Sequence, residues 1–385
     1  MRQLANRETV KKRHYITPWR GVLLALLTVE CVWLIAPPPG AFVDRWYSQG
    51  LYRWVMAGVS ALQNASPVSL TSLLLTGLVA FLIFTLVRIS RKLRKDARSR
   101  WHLLPWGLGL LAQWMILLGF WMLLLWGAGY QRTPVAERWV LNTEILSAAE
   151  SAQLEAALLE IIGDTIEKAQ KTDRDEAIVA IAVAMEQLLL ERGENAIQLP
   201  RQVRETPAGL FLATSTGGMC VPVAVEPFVD GAYDPVTFTQ VAAHELGHVA
   251  GYNRESEATL LGYLAGLRAE NSFARYAVAL DIYMDLIRRT ADPAAYRVAW
   301  ERLPLAARED VESGWKIADH YRIKIALFQR VGYHVYDTYL KAQGIPEGMA
   351  NYSVGLRLFS GAWRQGLIEI SRPETMLPIK GDRHE

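Results

Sequence analysis

The sequence predicts a mainly α membrane protein: three transmembrane helices, then a mostly helical extracytoplasmic domain with a short edge strand in a small sheet. Three observations predict it. Hydrophobic residues make up 51% of the 385, too many for an ordinary soluble chain, and the excess lies in three runs. Lys and Arg gather beside those runs, although the net charge is only +2, which gives no general attraction to nucleic acid. Beyond residue 130 the pattern becomes that of amphipathic helices.

A helix needs about 20 residues to cross a bilayer. The first expected span is about 19–37, "WRGVLLALLTVECVWLIAPPP", closed by Pro37, Pro38 and Pro39. No small-residue cleavage site follows it, so the run is expected to stay as an anchor. Glu30 within it reads as an interhelical polar contact. The second is "SLTSLLLTGLVAFLIFTLV", residues 69–87, and the third about 104–128, with Trp126 and Tyr130 as interfacial anchors at its far end. The basic N-terminus (1–18) and the basic loop 88–102 are expected in the cytoplasm. That topology describes a multi-pass protein of a bacterial inner membrane, with the N-terminus cytoplasmic and everything after about residue 130 outside. Cys31 and Cys220 then occupy different compartments, so no disulfide is expected. The segment 41–66 between the first two spans is Trp- and Tyr-rich and amphipathic, and should lie along the outer face of the lipid bilayer.

The outer domain is expected over 131–372, with a frayed tail at 373–385. Ser147 and Glu150 form a capping box ahead of one helix, and Gly193 stops a second. Pro and Gly interrupt 194–233, where "MCVPVAVE" reads as an edge strand. Further helices are expected at about 254–290, 295–330, 332–342 and 350–370.

The chemistry is concentrated in "VTFTQVAAHELGHVAGYNRESEATLLGYL", residues 236–264. Asp234 as N-cap, Pro235 at the first turn and Gly251 as stop predict a helix over about 235–250. His244 and His248 then project from one face, one turn apart, where both can bind one metal ion. Glu245 is rotated by about 100° and would stand beside the ion as general base. Small residues at Ala242, Ala243 and Gly247 allow a neighbouring backbone to come close. A catalytic zinc site needs a third protein ligand. Arg254 stands where a third histidine would fall in one extended form of the motif. Asn253 can cap a following helix that returns a carboxylate, with Glu255 the first choice and Glu257 the second. His320, Tyr321, His334 and Tyr336 are possible oxyanion donors by residue type alone. Met219, Cys220 and Val221 are the expected substrate strand, holding a peptide by edge pairing.

The run from His244 to Ala258 resembles the zincin clan, and its Glu255-to-Ala258 element resembles the third-ligand helix of gluzincin-type proteases. The stretches "VDRWYSQGLYRWV", "SPVSLTSLLL", "VEPFVDGAYDPVTF" and "VYDTYLKAQGIPEGMANYSVGL" resemble an uncharacterised bacterial membrane family, a domain of unknown function with a zincin-like centre. The resemblance implies one Zn2+ per chain and a helical zincin-like domain, and no particular substrate. In gluzincins the position four after the ligand glutamate is commonly Asp or Asn and supports a histidine; here it is Thr259, which hydrogen-bonds without charge. The expected activity is a membrane-anchored zinc metallopeptidase acting on peptides or membrane-protein segments near the outer membrane face. The alternative is a non-catalytic zinc-binding sensor or envelope assembly factor.

Overall fold

The computed structural model describes residues 18–95, 100–169 and 173–368. The expected N-terminus (all but its last residue), part of the 88–102 loop and the tail 373–385 lie outside these. The chain divides into two compact units, Met1–Pro37 with Phe84–Leu123 and Pro38–Ile83 with Leu124–Glu385.

In the first unit, helix α1 (Pro18–Ile35) presents Glu30 to Gly119 of helix α5 (Arg100–Leu125), where an added Cβ would lie 3.1 Å from the carboxylate. Among the described residues two helices, not three, are long and apolar enough to cross a membrane: Leu70–Arg91, within α4 (Leu70–Lys95), and Gly107–Leu125. The expected first span corresponds to α1, which has 18 residues and carries both Arg20 and Glu30.

The second unit begins with the short helix α2 (Gly40–Phe42), a π-helical stretch Val43–Leu51 and helix α3 (Tyr52–Ala65). This segment buries Val43, Tyr52 and Met56 and exposes Trp46, Leu51 and Trp54. After the short helix α6 (Val135–Arg138) come α7 (Ala148–Ala169) and α8 (Arg174–Glu191). The capping box forms at α7: Glu150 accepts from the Ser147 N–H at 2.8 Å while Ser147 Oγ accepts from the Glu150 N–H at 3.2 Å. Asp173 caps α8.

Three strands follow, β1 (Arg204–Thr206), β2 (Gly218–Val221) and β3 (Glu226–Asp230), in the order β1-β3-β2. The pairing β1–β3 is parallel and β2–β3 antiparallel, with Met219 opposite Phe228. The edge strand therefore covers the first part of "MCVPVAVE" and stops before Pro222, which has no N–H for the ladder. The last part enters the central strand.

Helices α9 (Pro235–Val249), α10 (Glu255–Arg268) and α11 (Ser272–Ile287) form the centre of the core, followed by α12 (Pro293–Arg302), α13 (Leu305–Tyr321), α14 (Ala326–Ala342) and α15 (Gly355–Arg364). The helices expected over 254–290 and 295–330 are each broken. Asn271 starts α11 by accepting from the Ala274 N–H at 2.9 Å, and Pro304 sits ahead of α13. Phe238, Leu246, Leu261, Leu264 and Tyr283 are fully enclosed; removing one such side chain from water is worth about 1.5–3 kcal/mol. Helices α9 and α10 touch through backbone. A Cβ on Gly247 would lie 2.7 Å from the Ala258 carbonyl oxygen, and one on Gly262 2.9 Å from the Ala243 carbonyl carbon. That close approach sets the next feature.

Candidate metal centre

Helix α9 starts as its sequence dictates, with the Asp234 side chain accepting from the Thr237 N–H at 3.0 Å and Pro235 in the first turn. His244 and His248 share a face, their ring centroids 4.8 Å apart. The chain reverses at Gly251, whose φ of +88° suits a residue without Cβ. Helix α10 then runs back against α9 and puts Glu255 of its first turn on the two imidazoles. Glu255 Oε2 lies 3.1 Å from His244 Nε2 and 3.3 Å from His248 Nε2. One ligand atom from each of the three lies within 4.8 Å of the others. Two imidazoles and one carboxylate, all on one point, are the donor types and number of an open zinc site.

The remaining ring nitrogens are also engaged. His248 Nδ1 lies 2.9 Å from the Tyr252 carbonyl oxygen, and His244 Nδ1 lies 3.1 Å from Thr259 Oγ1. Such partners fix ring orientation and leave Nε2 for a metal. Tyr336 of α14 donates to Glu255 Oε1 at 2.6 Å, so the carboxylate is held at both oxygens. Trp126 closes the far side of His248 at 5.5 Å between ring centroids.

Glu245 is 5% exposed, and its carboxylate meets the edge strand beside that trio. It accepts the Cys220 N–H, and its Oε2 has no hydrogen-bond partner among the described residues. A buried carboxylate oxygen left open costs free energy unless something polar meets it.

Charge follows burial. Desolvation raises the Glu245 carboxyl above its ordinary range, against the pull of His244 and His248. Burial alone would also raise Glu255, but His248 and His244 hold it well below that range. Burial disfavours the charged His248 ring, yet Glu255 outweighs it and carries the histidine up to about 9.

The other expected residues fall as follows. Glu257 is turned away: its Oε1 accepts the Val135 N–H at 2.9 Å at the start of α6. Asn253 does not cap α10; its amide donates to the Trp126 carbonyl at 2.7 Å, and Asn351 Oδ1 takes the Ser256 N–H at 3.0 Å instead. His320 and Tyr321 stack edge to face at the end of α13, beside Gly209, and His334 is exposed on α14. Of the four donor candidates Tyr336 joins the cluster, on the carboxylate side. On β2, Met219 is exposed, Cys220 buried and Val221 half-buried.

Two features escaped sequence reasoning. A cavity of about 70 Å³ behind His244 is lined by Gln240, Thr259, Tyr263 and Asp281 among others. Asp281 is pushed up to about 6, by burial first and then by Asp285. The signal was present: Asp281 is an acidic residue inside the apolar run "AVALDIYM". The second feature surrounds Glu194, which pairs with Arg53 at 2.6 Å, Arg138 at 2.6 Å and Arg132 at 3.3 Å, and accepts from the Tyr252 hydroxyl. Arg132 also donates to the Gly251 carbonyl at 3.0 Å. This buried network braces the turn that follows the two histidines.

Fold and site together define a mostly helical protein with two membrane-length apolar helices and one cluster of metal-ligating type among its described residues. The chain belongs to the family described as "Protein of unknown function (DUF3810)", which it matches over residues 47–359. No curated protein and no solved structure shows significant similarity to it.

Proposed function

We propose that the protein is a membrane-anchored zinc-dependent metallopeptidase. The observation that carries this reading is the convergence of His244, His248 and Glu255, with Glu245 buried next to them outside the ligand set. The donor set fits zinc, and the open oxygen of Glu245 fits a role beyond packing. Bound zinc supplies Lewis acidity to water and to a carbonyl oxygen. The rest is done by the chain. Glu245, its basicity increased by burial, takes the proton from water and returns it to the leaving amine. Thr259 and the Tyr252 carbonyl keep the rings turned toward Glu255. The edge strand β2 already touches Glu245 through the Cys220 N–H, so a peptide laid along it lies beside the base.

The membrane part of the reading rests on the two apolar helices. The basic residues between them support a reading in which that loop is cytoplasmic and the second unit lies outside, in a bacterial inner membrane. Trp126, one residue beyond the second span, packs on His248, so substrates are peptides or membrane-protein segments close to the outer face.

A Glu245→Gln variant tests the chemistry. It is expected to keep its zinc and lose peptide cleavage. One observation favours a non-catalytic zinc protein instead: of the trio and Glu245, only the His244 side chain is appreciably exposed, at 21%. A wild-type protein that holds zinc and cleaves nothing in a broad peptide library would establish that second reading.

A further inference from the structure

Helix α14 has two unlike halves. Its C-terminal half is seated: Tyr336 donates to Glu255, Tyr339 meets Tyr130 edge-on at 6.1 Å between centroids, and Leu340 packs with Ile345 and Tyr130 in a small core of its own. The stretch from Gln329 to Val335 is bare. Every residue in it is exposed, and Val331, Tyr333 and Val335, with Ile325 just ahead, are large apolar side chains. Val335 is 65% exposed. Val331 and Val335 are one turn apart and share a face. Two helical turns gain little stability by themselves in water, and these turns expose more apolar surface than a solvent-facing helix needs.

We propose that the N-terminal half of α14 lies in the outer surface of the lipid bilayer, as an in-plane helix placed over the candidate metal centre. This rests on the membrane part of the reading above and is independent of the metal. The occupant follows from where the helix is rooted. Tyr130 and Trp126 sit within a few residues of Leu125, where the second apolar span ends. Aromatic side chains at such an end occupy the headgroup level. A helix seated on Tyr130 starts from that level, and its uncovered apolar face is adjacent to lipid. Arg322 and Arg330 are exposed in the same stretch of chain, the basic accompaniment of helices that bind anionic bilayers, while Lys324 pairs with Asp319 at 2.8 Å. The Tyr336–Glu255 hydrogen bond ties the same helix to the site. A substrate reaching Glu255 and the histidines from beneath α14 would therefore come from the bilayer surface, which narrows the substrate class to segments at or in the membrane.

The test uses the full chain in vesicles of phosphatidylcholine with a minority of phosphatidylglycerol. Cys31→Ser removes the exposed cysteine, and Cys220 is buried. Single probe sites Val335→Cys, Leu78→Cys and Glu312→Cys each receive an environment-sensitive fluorophore. Leu78 lies in α4 and reports the membrane reading, whereas Glu312 is an exposed position on α13. The probe at residue 335 is expected to be quenched by spin-labelled lipid and to be roughly threefold less accessible to iodide than the probe at residue 312, as for a helix about 5–10 Å into the interface. If the Leu78 probe meets lipid and the Val335 probe meets only iodide, the proposal is overturned while the membrane reading stands. If the Leu78 probe meets no lipid, the membrane reading fails and the proposal with it. Shielding of the Val335 probe from both quenchers would mean that a protein surface covers α14, which also overturns it.

Discussion

Replacing Glu194 by Gln removes the single carboxylate on which three buried guanidinium groups converge. Burial opposes that carboxylate, but Arg132, Arg138 and Arg53 outweigh the cost and hold it down to about 2, against 4.5 for an ordinary glutamate. With 1.36 kcal/mol for each tenfold change in proton affinity, the folded state gains about 3 kcal/mol from keeping Glu194 ionised. The same range follows from breaking a buried ion pair at one partner, about 3–5 kcal/mol. In the variant Asp44, 3.5 Å from Arg132, remains as an acidic neighbour of these arginines. Because the folded value is depressed, the stabilisation is complete above about pH 4.5 and is lost as pH falls toward 2. Unfolding of detergent-purified full-length protein, followed by denaturant titration, should show Glu194→Gln less stable than wild type by about 3 kcal/mol at pH 7. The gap should narrow steadily below pH 4.5, where the carboxyl of the unfolded chain takes up its proton while the folded one stays ionised down to about 2. A gap under about 1 kcal/mol at pH 7, or one that does not change with pH, would refute this account of the network.

Three further outcomes follow from the site. Glu255→Gln should weaken zinc binding by more than about 100-fold, beyond the range of outer partners, whereas Glu257→Gln, which still offers an oxygen to the Val135 N–H, should change it little. A competition titration with a zinc chelator separates the two. Asp281→Asn should lower zinc affinity by about 10-fold and alter the visible spectrum of the cobalt-substituted protein, because the carboxylate faces the cavity behind His244; Asp281→Glu should restore part of it. An unchanged cobalt spectrum would remove Asp281 from the account. Gly247→Val should destabilise the fold by about 1–3 kcal/mol and lower zinc affinity too, since the new side chain meets the Ala258 backbone and pushes α10, with Glu255, away from α9. Full stability with full zinc affinity would show that the close approach is dispensable.

What was legible in the sequence was local. Asp234, Pro235 and Gly251 mark both ends of α9 because capping and turn chemistry act within a few residues, and helical spacing alone puts His244 and His248 on one face. The edge strand was legible only in its first part, since it ends before Pro222 and the last residue of "MCVPVAVE" belongs to the central strand. The cap of α10 was not legible, because it comes from Asn351, 95 positions away from Ser256, while Asn253 is drawn to Trp126. Glu255 and Glu257 share the first turn of α10, and no local rule separates them; the Val135 N–H takes one and the histidines the other. Asp281 and Glu194 gain their surroundings only from packing. Asp281 faces a cavity formed with α9 and α10, and Glu194 collects arginines from distant segments.

The central claim is that two imidazoles and one carboxylate hold a zinc ion at the end of α9. Elemental analysis of full-length protein, purified without chelators and equilibrated with zinc, measures it directly. Wild type and Glu245→Gln should each carry about one zinc per chain, and His244→Ala with His248→Ala should carry none. Wild-type protein without stoichiometric zinc, or a double variant that retains it, would contradict the account.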